Sequence, residues 1–280
     1  MFERISIFYK DKDDLAYTTA LALKEWILKR KLHCVFFNVI GASVRFKDNE
    51  LSAIFGSDVL LVLGGDGTIL SVARILQGKK IPIIGINMGT LGFITEVSRE
   101  NLFQDLEDIF SGRYEIEERS MVKVEVIRDK KQIVSCLGLN DVVVGTGIMA
   151  KIARFDLTVN GSYVSSIRAD GIIISTPTGS TAYNLSAGGP ILFPTLKTLV
   201  LTPICPHTLS VRPLVLPEDF VVEIVLPTEV EVFLTVDGHI NFPLMKNDRV
   251  KCFIASEKTY LIAPLGRDYF KILREKLKWG

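Results

Sequence analysis

The run Val59-Leu60-Leu61-Val62-Leu63 carries no polar side chain and stops abruptly at Gly64-Gly65-Asp66-Gly67-Thr68. A strand apolar on both faces belongs inside a sheet that is covered on both sides. The glycine loop, followed by apolar residues at helical spacing, is a βα turn. Comparable apolar runs lie at Ile5 to Tyr9, His33 to Val39 and Ile81 to Asn87. A helix is predicted from Asp13 or Asp14 to about Lys31, with Leu15, Ala22, Leu23, Trp26 and Ile27 on one side. Leu102, Phe103, Leu106, Ile109 and Phe110 give another, stopped by Gly112. Strand runs alternating with amphipathic helices predict an open, mostly parallel α/β domain over residues 1–118.

The pattern changes near Arg119. Two strands flank an Asp-Lys-Lys turn within residues 121–139, and Asn160-Gly161 is a strong hairpin signal. Further β-rich segments follow at Gly171–Ser175, Thr198–Leu201, Val211–Leu216, Val221–Leu226, Val232–Val236 and Val250–Ala255. Prolines at 190, 194, 203, 206, 213, 217 and 227 leave little room for long helices. Residues 119–265 therefore read as a second, β-rich domain. The tail, residues 266–280, is an amphipathic helix with Tyr269, Phe270, Leu273 and Leu277 on one face, and it is expected to return to the first domain.

Lys and Arg total 33 against 32 Asp and Glu, so the net charge of +1 gives no footprint for nucleic acid or an anionic membrane. The uncharged stretch from Gly171 to Leu196 reaches membrane-spanning length, but Thr-Pro-Thr-Gly-Ser-Thr and Gly-Gly-Pro within it are turn chemistry. Cys34, Cys136, Cys205 and Cys252 are scattered and read as reduced thiols, and His33, His207 and His239 lack metal-site spacing. With no signal peptide in its charged N-terminus, the chain is expected in the cytoplasm.

Four motifs can carry chemistry. The Gly64–Thr68 loop sits at the carboxyl end of a strand, where α/β sheets bind ligands, and a helix starts beside it. It lacks the Walker lysine, and Leu70 stands where a Rossmann fingerprint has its third glycine. Residues 87–96 (NMGTLGFITE) form a second glycine loop, in which Phe93 can wall a pocket. Asn140-Asp141 places an amide beside a carboxylate, suited to a ribose diol or a polar base edge. Residues 168–190 crowd Ser175, Thr176, Thr178, Ser180 and Thr181 around Gly179, with Tyr183 as an aromatic face and Arg168 and Asp170 just upstream.

Gly64-Gly65-Asp66-Gly67-Thr68, Asn140-Asp141 and Asp170 followed by Thr176-Pro177-Thr178-Gly179-Ser180-Thr181-Ala182-Tyr183 resemble the signature set of the NAD kinase family, with Leu-Gly-Phe at 91–93 and Val-Asp-Gly-His at 236–239 in matching order. The resemblance implies an N-terminal α/β domain, a C-terminal β-rich domain and a site between them. It also implies transfer of the terminal phosphoryl group of ATP, or of another donor such as polyphosphate, to the adenosine-ribose 2′-hydroxyl of NAD. Mg²⁺ or another divalent cation would bridge the donor phosphates, with no protein ligand assigned. Asp66 would act as the base for the hydroxyl proton, and Gly64, Gly65, Gly67 and Thr68 would hold the donor.

By the same resemblance, NAD would touch Asp66, Gly67, Phe93, Asn140, Asp141, Asp170, Thr178, Thr181, Ala182, Tyr183, Asn184 and Ser186. Lys151, Arg168 and His239 are candidate pyrophosphate or ribose contacts. The family usually has Glu where this chain has Asp141, one methylene shorter. A homodimer or homotetramer is expected. Two other readings predict different features. A lipid kinase of the diacylglycerol or sphingosine type shares the glycine loop, but calls for a membrane-facing patch and no adenosine pocket. A non-catalytic dinucleotide sensor would have lost the base, yet Asp66 is present.

Overall fold

The apolar runs of the first third form strands β1 (Arg4–Lys10), β2 (His33–Val39), β3 (Val59–Gly64), β4 (Ile83–Asn87) and β5 (Val97–Ser98). They alternate with helices α1 (Asp14–Lys29), α2 (Asp48–Phe55), α3 (Asp66–Leu76) and α4 (Leu102–Phe110). The structure is a computed structural model and describes residues 2–39, 46–90, 92–95, 97–147, 152–227 and 229–279. By its internal contacts the chain divides into two units, one of Met1–Glu118 with Thr259–Gly280 and the other of Arg119–Lys258.

In the first unit β2, β1, β3 and β4 pair in that order, all parallel, and β5 adds at the outer side of β4. Val59 to Leu63 are fully buried, as a two-sided apolar strand requires. Helix α1 covers the sheet through Ala16, Ala20, Leu23 and Ile27, all at 0% exposure. Leu15 and Ala22, expected on that face, point outward, because spacings of four, three and four from Ala16 define the stripe. The sequence pattern did not announce α2, a two-turn helix whose start is fixed by Glu50 accepting the Lys47 N–H at 2.7 Å.

The C-terminal segment belongs to this unit. Strand β17 (Arg249–Pro264) pairs in parallel with β4 at Leu261 and Ile83, and α6 (Tyr269–Leu277) follows, capped by Asp268. Its inward face is Tyr269, Ile272 and Leu273, whereas Phe270, expected there, is 60% exposed.

The second unit is two antiparallel sheets around one core. One contains β10 (Ser162–Ala169), β9 (Ala153–Val159), β14 (Val222–Val225) and the start of β17, with β6 (Tyr114–Arg128) pairing β7 (Lys131–Gly138). The other runs β13 (Leu214–Pro217), β12 (Thr198–Ile204), β11 (Gly171–Ser175), β8 (Asp141–Thr146), β15 (Val232–Val236) and β16 (Ile240–Leu244). Phe155, Leu157, Val222 and Ile224 of the first sheet share a core with Val142, Val144, Ile172 and Leu234 of the second. The Ser/Thr loop after β11 is not open loop. Thr178–Thr181 is a turn of 3₁₀ helix, and α5 (Tyr183–Ser186) continues it. No described helix is long and apolar enough to cross a membrane.

Candidate active site

In the first unit, Gly64 ends β3, Gly65 caps α3 and Asp66 is its first residue. A Cβ on Gly65 or Gly67 would meet nothing within 4 Å, so the mouth of the turn is open to a ligand. The first amides of a helix lack intrahelical partners and favour an anion there. Thr68 is buried and its N–H closes the turn on the Gly65 carbonyl at 2.9 Å.

The second glycine loop folds onto this carboxylate. Phe93 N–H donates to Asp66 Oδ2 at 2.9 Å, and Ile94 N–H donates to Oδ1 at 3.2 Å. Gly92 donates to Thr95 Oγ1 at 3.1 Å. A Cβ on Gly92 would run into Asp66 Oδ1 and Thr95 Oγ1, so only glycine lets the loop come this close. Asn87, at the end of β4, is buried and accepts from the Gly89 N–H at 2.9 Å. Arg267, just before α6, donates to the Phe93 carbonyl at 2.9 Å and pairs with Glu117 at 2.9 Å. Lys276 lies 5.6 Å from the Phe93 ring centroid.

In the second unit, the stretch Leu139-Asn140-Asp141 leads into β8. Its three N–H groups all donate to the Asp237 carboxylate, at 2.8, 2.7 and 3.1 Å. Thr176 takes the opposite side, its hydroxyl donating to the Leu139 carbonyl at 2.6 Å and its N–H to the Asn140 carbonyl at 2.8 Å. A Cβ on Gly179 would strike the Asn140 carbonyl, which makes that glycine a steric requirement. Asp141 is 5% exposed. Burial, and then the Asp237 charge, push its carboxyl up to about 7. Burial also raises Asp237, against the pull of the three amides and His239.

Of the remaining expected residues, Thr181 and Ala182 are half-buried, whereas Tyr183 and Ser186 are exposed. The Thr178 hydroxyl is buried and has no hydrogen-bond partner among the described residues. Asn184 is fully buried, donates to the Ser180 and Pro190 carbonyls at 3.0 and 3.1 Å, and accepts from Thr202 at 2.6 Å. Its side chain braces the loop from inside. Asp170 and Tyr183 line one cavity of about 1120 Å³, together with Val143, Thr146, Glu231 and Phe233. Arg168 is exposed on β10, and His239 is the last residue of the β15–β16 turn. Lys151 and Leu91 lie outside the described residues. Asp237, Arg267 and Glu231 were not foreseen. Only Asp237 left a trace, in the Val-Asp-Gly-His string.

The described residues contain no group of three or more His, Cys, Asp and Glu able to hold a metal ion. The family model for the ATP-NAD kinase N-terminal domain matches residues 5–114, and that for the ATP-NAD kinase C-terminal domain matches residues 139–264. An NAD kinase of Geotalea daltonii is 42% identical, with 99% of each chain covered. One of Syntrophobacter fumaroxidans is 42% identical over 99% of this chain and 98% of its own. Among solved structures, a yeast NADH kinase complexed with NADH superposes with a TM-score of 0.83 at 22% identity, covering 99% of this chain and 88% of that one. An NAD kinase from Archaeoglobus fulgidus in complex with ATP gives 0.81 at 24% identity, covering 99% and 100%. These likenesses define a phosphotransferase whose acceptor is an alcohol group. The chain belongs to the NAD kinase family.

Proposed function

We propose that this NAD kinase uses Asp66 as the base for the 2′-hydroxyl of NAD, and ATP as the phosphoryl donor at the Gly64–Thr68 turn. The observation that carries this reading is the Asp66 carboxylate, aimed by the amides of Phe93 and Ile94 at the open mouth of a glycine turn. Each oxygen keeps a lone pair to accept the hydroxyl proton as charge develops, the part such a reaction leaves to the protein. Gly65, Gly67 and Thr68 stand where helix-terminal amides meet donor phosphates. Mg²⁺ fits this turn as a companion of the triphosphate, since it keeps phosphate and water ligands and asks for few carboxylates.

NAD is taken by the second unit. Asn140, Asp141, Thr178, Thr181, Ala182 and Tyr183 serve the adenosine half, and Asp170 the nicotinamide amide. The cavity shared by Asp170 and Tyr183 is slightly larger than the common range for small-molecule sites and so leaves room for one, and the unpaired Thr178 hydroxyl is a group awaiting a partner. Arg168 and His239 are proposed near the pyrophosphate or ribose. Cytoplasmic residence agrees with four free thiols. A homodimer or homotetramer agrees with the exposed Leu214 and Val215 on the outermost strand β13.

The test is direct. The protein is incubated with Mg²⁺, NAD and either ATP or polyphosphate, and NADP is measured. Product with ATP supports the reading, product with polyphosphate alone changes the donor, and no product with either overturns it.

A further inference from the structure

We propose that Asp237 is a positioning residue for dinucleotide recognition, holding the backbone of residues 139–141 so that the side chains of Asn140 and Asp141 face the ligand. The inference rests on the reading that NAD binds at Asn140-Asp141.

Asp237 sits at the β15–β16 turn with φ of 50°, followed by Gly238 at 68°. Aspartate tolerates this left-handed backbone better than most residues, which lets this three-residue turn carry a carboxylate. The turn is pinned by the strand ladder, where Val236 pairs with Val142 of β8 and with Ile240 of β16. From there the carboxylate collects the three consecutive N–H groups of 139, 140 and 141, while its own N–H donates to the Asp141 carbonyl at 3.0 Å.

Thr176 engages the carbonyls of 139 and 140 from the other side. The backbone of this stretch is thereby committed to the protein. Neither the Asn140 amide nor the Asp141 carboxyl has a hydrogen-bond partner among the described residues, although Asp141 is only 5% exposed. A carboxyl that keeps a little exposure and has no protein partner, on a segment clamped from two sides, is available to a ligand. Three charge-assisted bonds are more than a turn needs to close, and they fix where those two side chains project.

Asp237→Asn tests this. The amide keeps the shape but can accept at only one atom, so the bonds to residues 139–141 cannot all survive. The KM for NAD is expected to rise about tenfold or more, with the KM for ATP nearly unchanged. Asp248→Asn is the control. Asp248 is a fully buried carboxylate of this unit, bound to Arg128 at 2.8 and 2.7 Å, and its loss should lower the melting temperature without moving the KM for NAD. Should Asp237→Asn not fold, Thr176→Val removes the opposing hydroxyl bond and is expected to raise the KM for NAD in the same selective way. An unchanged KM for NAD in folded Asp237→Asn overturns the inference, as does an equal rise in Asp248→Asn. With Asp237→Asn unfolded, an unchanged KM in Thr176→Val does so too. NADP formation by the unaltered protein tests the underlying reading separately.

Discussion

Phe93 donates its backbone N–H to Oδ2 of Asp66 across 2.9 Å, joining two glycine loops that follow neighbouring strands. With Ile94 on the other oxygen, the carboxylate is held by its backbone partners in one orientation. Asp66→Asn should preserve the circular-dichroism spectrum, while kcat falls by about 10²- to 10⁴-fold, the range of a lost general base; the amide can accept only one of the two N–H bonds from Phe93 and Ile94, so the loop beside it loosens as well. Turnover near the parental rate would remove Asp66 from that role.

The orientation of Asp66 depends in turn on Arg267, which ties the Phe93 carbonyl to Glu117. Arg267→Ala should lower kcat by about tenfold while leaving the KM for NAD close to its parental value. It should also lower the melting temperature, because Glu117 loses a largely buried partner. Steady-state kinetics and a thermal melt on the same preparation separate the two effects.

Glycine substitutions distinguish steric need from open space. Gly179→Ala drives a methyl group into the Asn140 carbonyl, which is backbone and cannot swing away. It should cost about 1–3 kcal/mol of stability and raise the KM for NAD, since the collision displaces Asn140 itself. Gly67→Ala meets nothing within 4 Å, so its melting temperature should barely move and any loss should appear in the KM for ATP.

Asp141 gives the stability a pH dependence of definite sign. Its carboxyl moves from the usual 3.8 to about 7 on folding, so the folded chain binds the proton more tightly than the unfolded one. The contribution is complete below about pH 4, declines as pH rises and is gone above about pH 7. Asp141→Asn should therefore flatten the fall in melting temperature between pH 5 and pH 8. An identical slope in both proteins would contradict the assignment.

The thiols report on the cavity. Burial raises Cys34 to about 11 and raises Cys136 and Cys252 as well, which keeps them protonated and slow to react. Cys205 is exposed and lines the cavity with Asp170 and Tyr183. It should be labelled first by a thiol reagent, and saturating NAD should slow that labelling several-fold. Unprotected labelling would place NAD elsewhere.

The features legible in the sequence are those encoded locally. The buried strand at Val59–Leu63, the glycine turn after it and the Asn160-Gly161 hairpin each follow from a few adjacent residues. Helix α2 was not legible, because eight residues give too short a period and its start depends on one capping glutamate. The Ser/Thr segment after β11 read as hydroxyls crowded round Gly179. Thr176 and Ser180 instead spend theirs on backbone carbonyls, and Asn184 is an internal brace. Asp237 and Arg267 act on partners 96 to 174 residues away, and no spacing rule reaches that far.

The first unit is assembled from both ends of the chain, with the whole second unit inserted between Glu118 and Thr259. During synthesis, strand β4 leaves the ribosome long before Leu261, its partner in β17, has been made. Arg267, which steadies the loop over Asp66, arrives later still. The second unit is continuous and can complete itself while translation proceeds, whereas the unit that begins the chain must wait for its last residues. A chain stalled before Arg267 therefore carries Asp66 without the arginine that ties down the Phe93 carbonyl beside it.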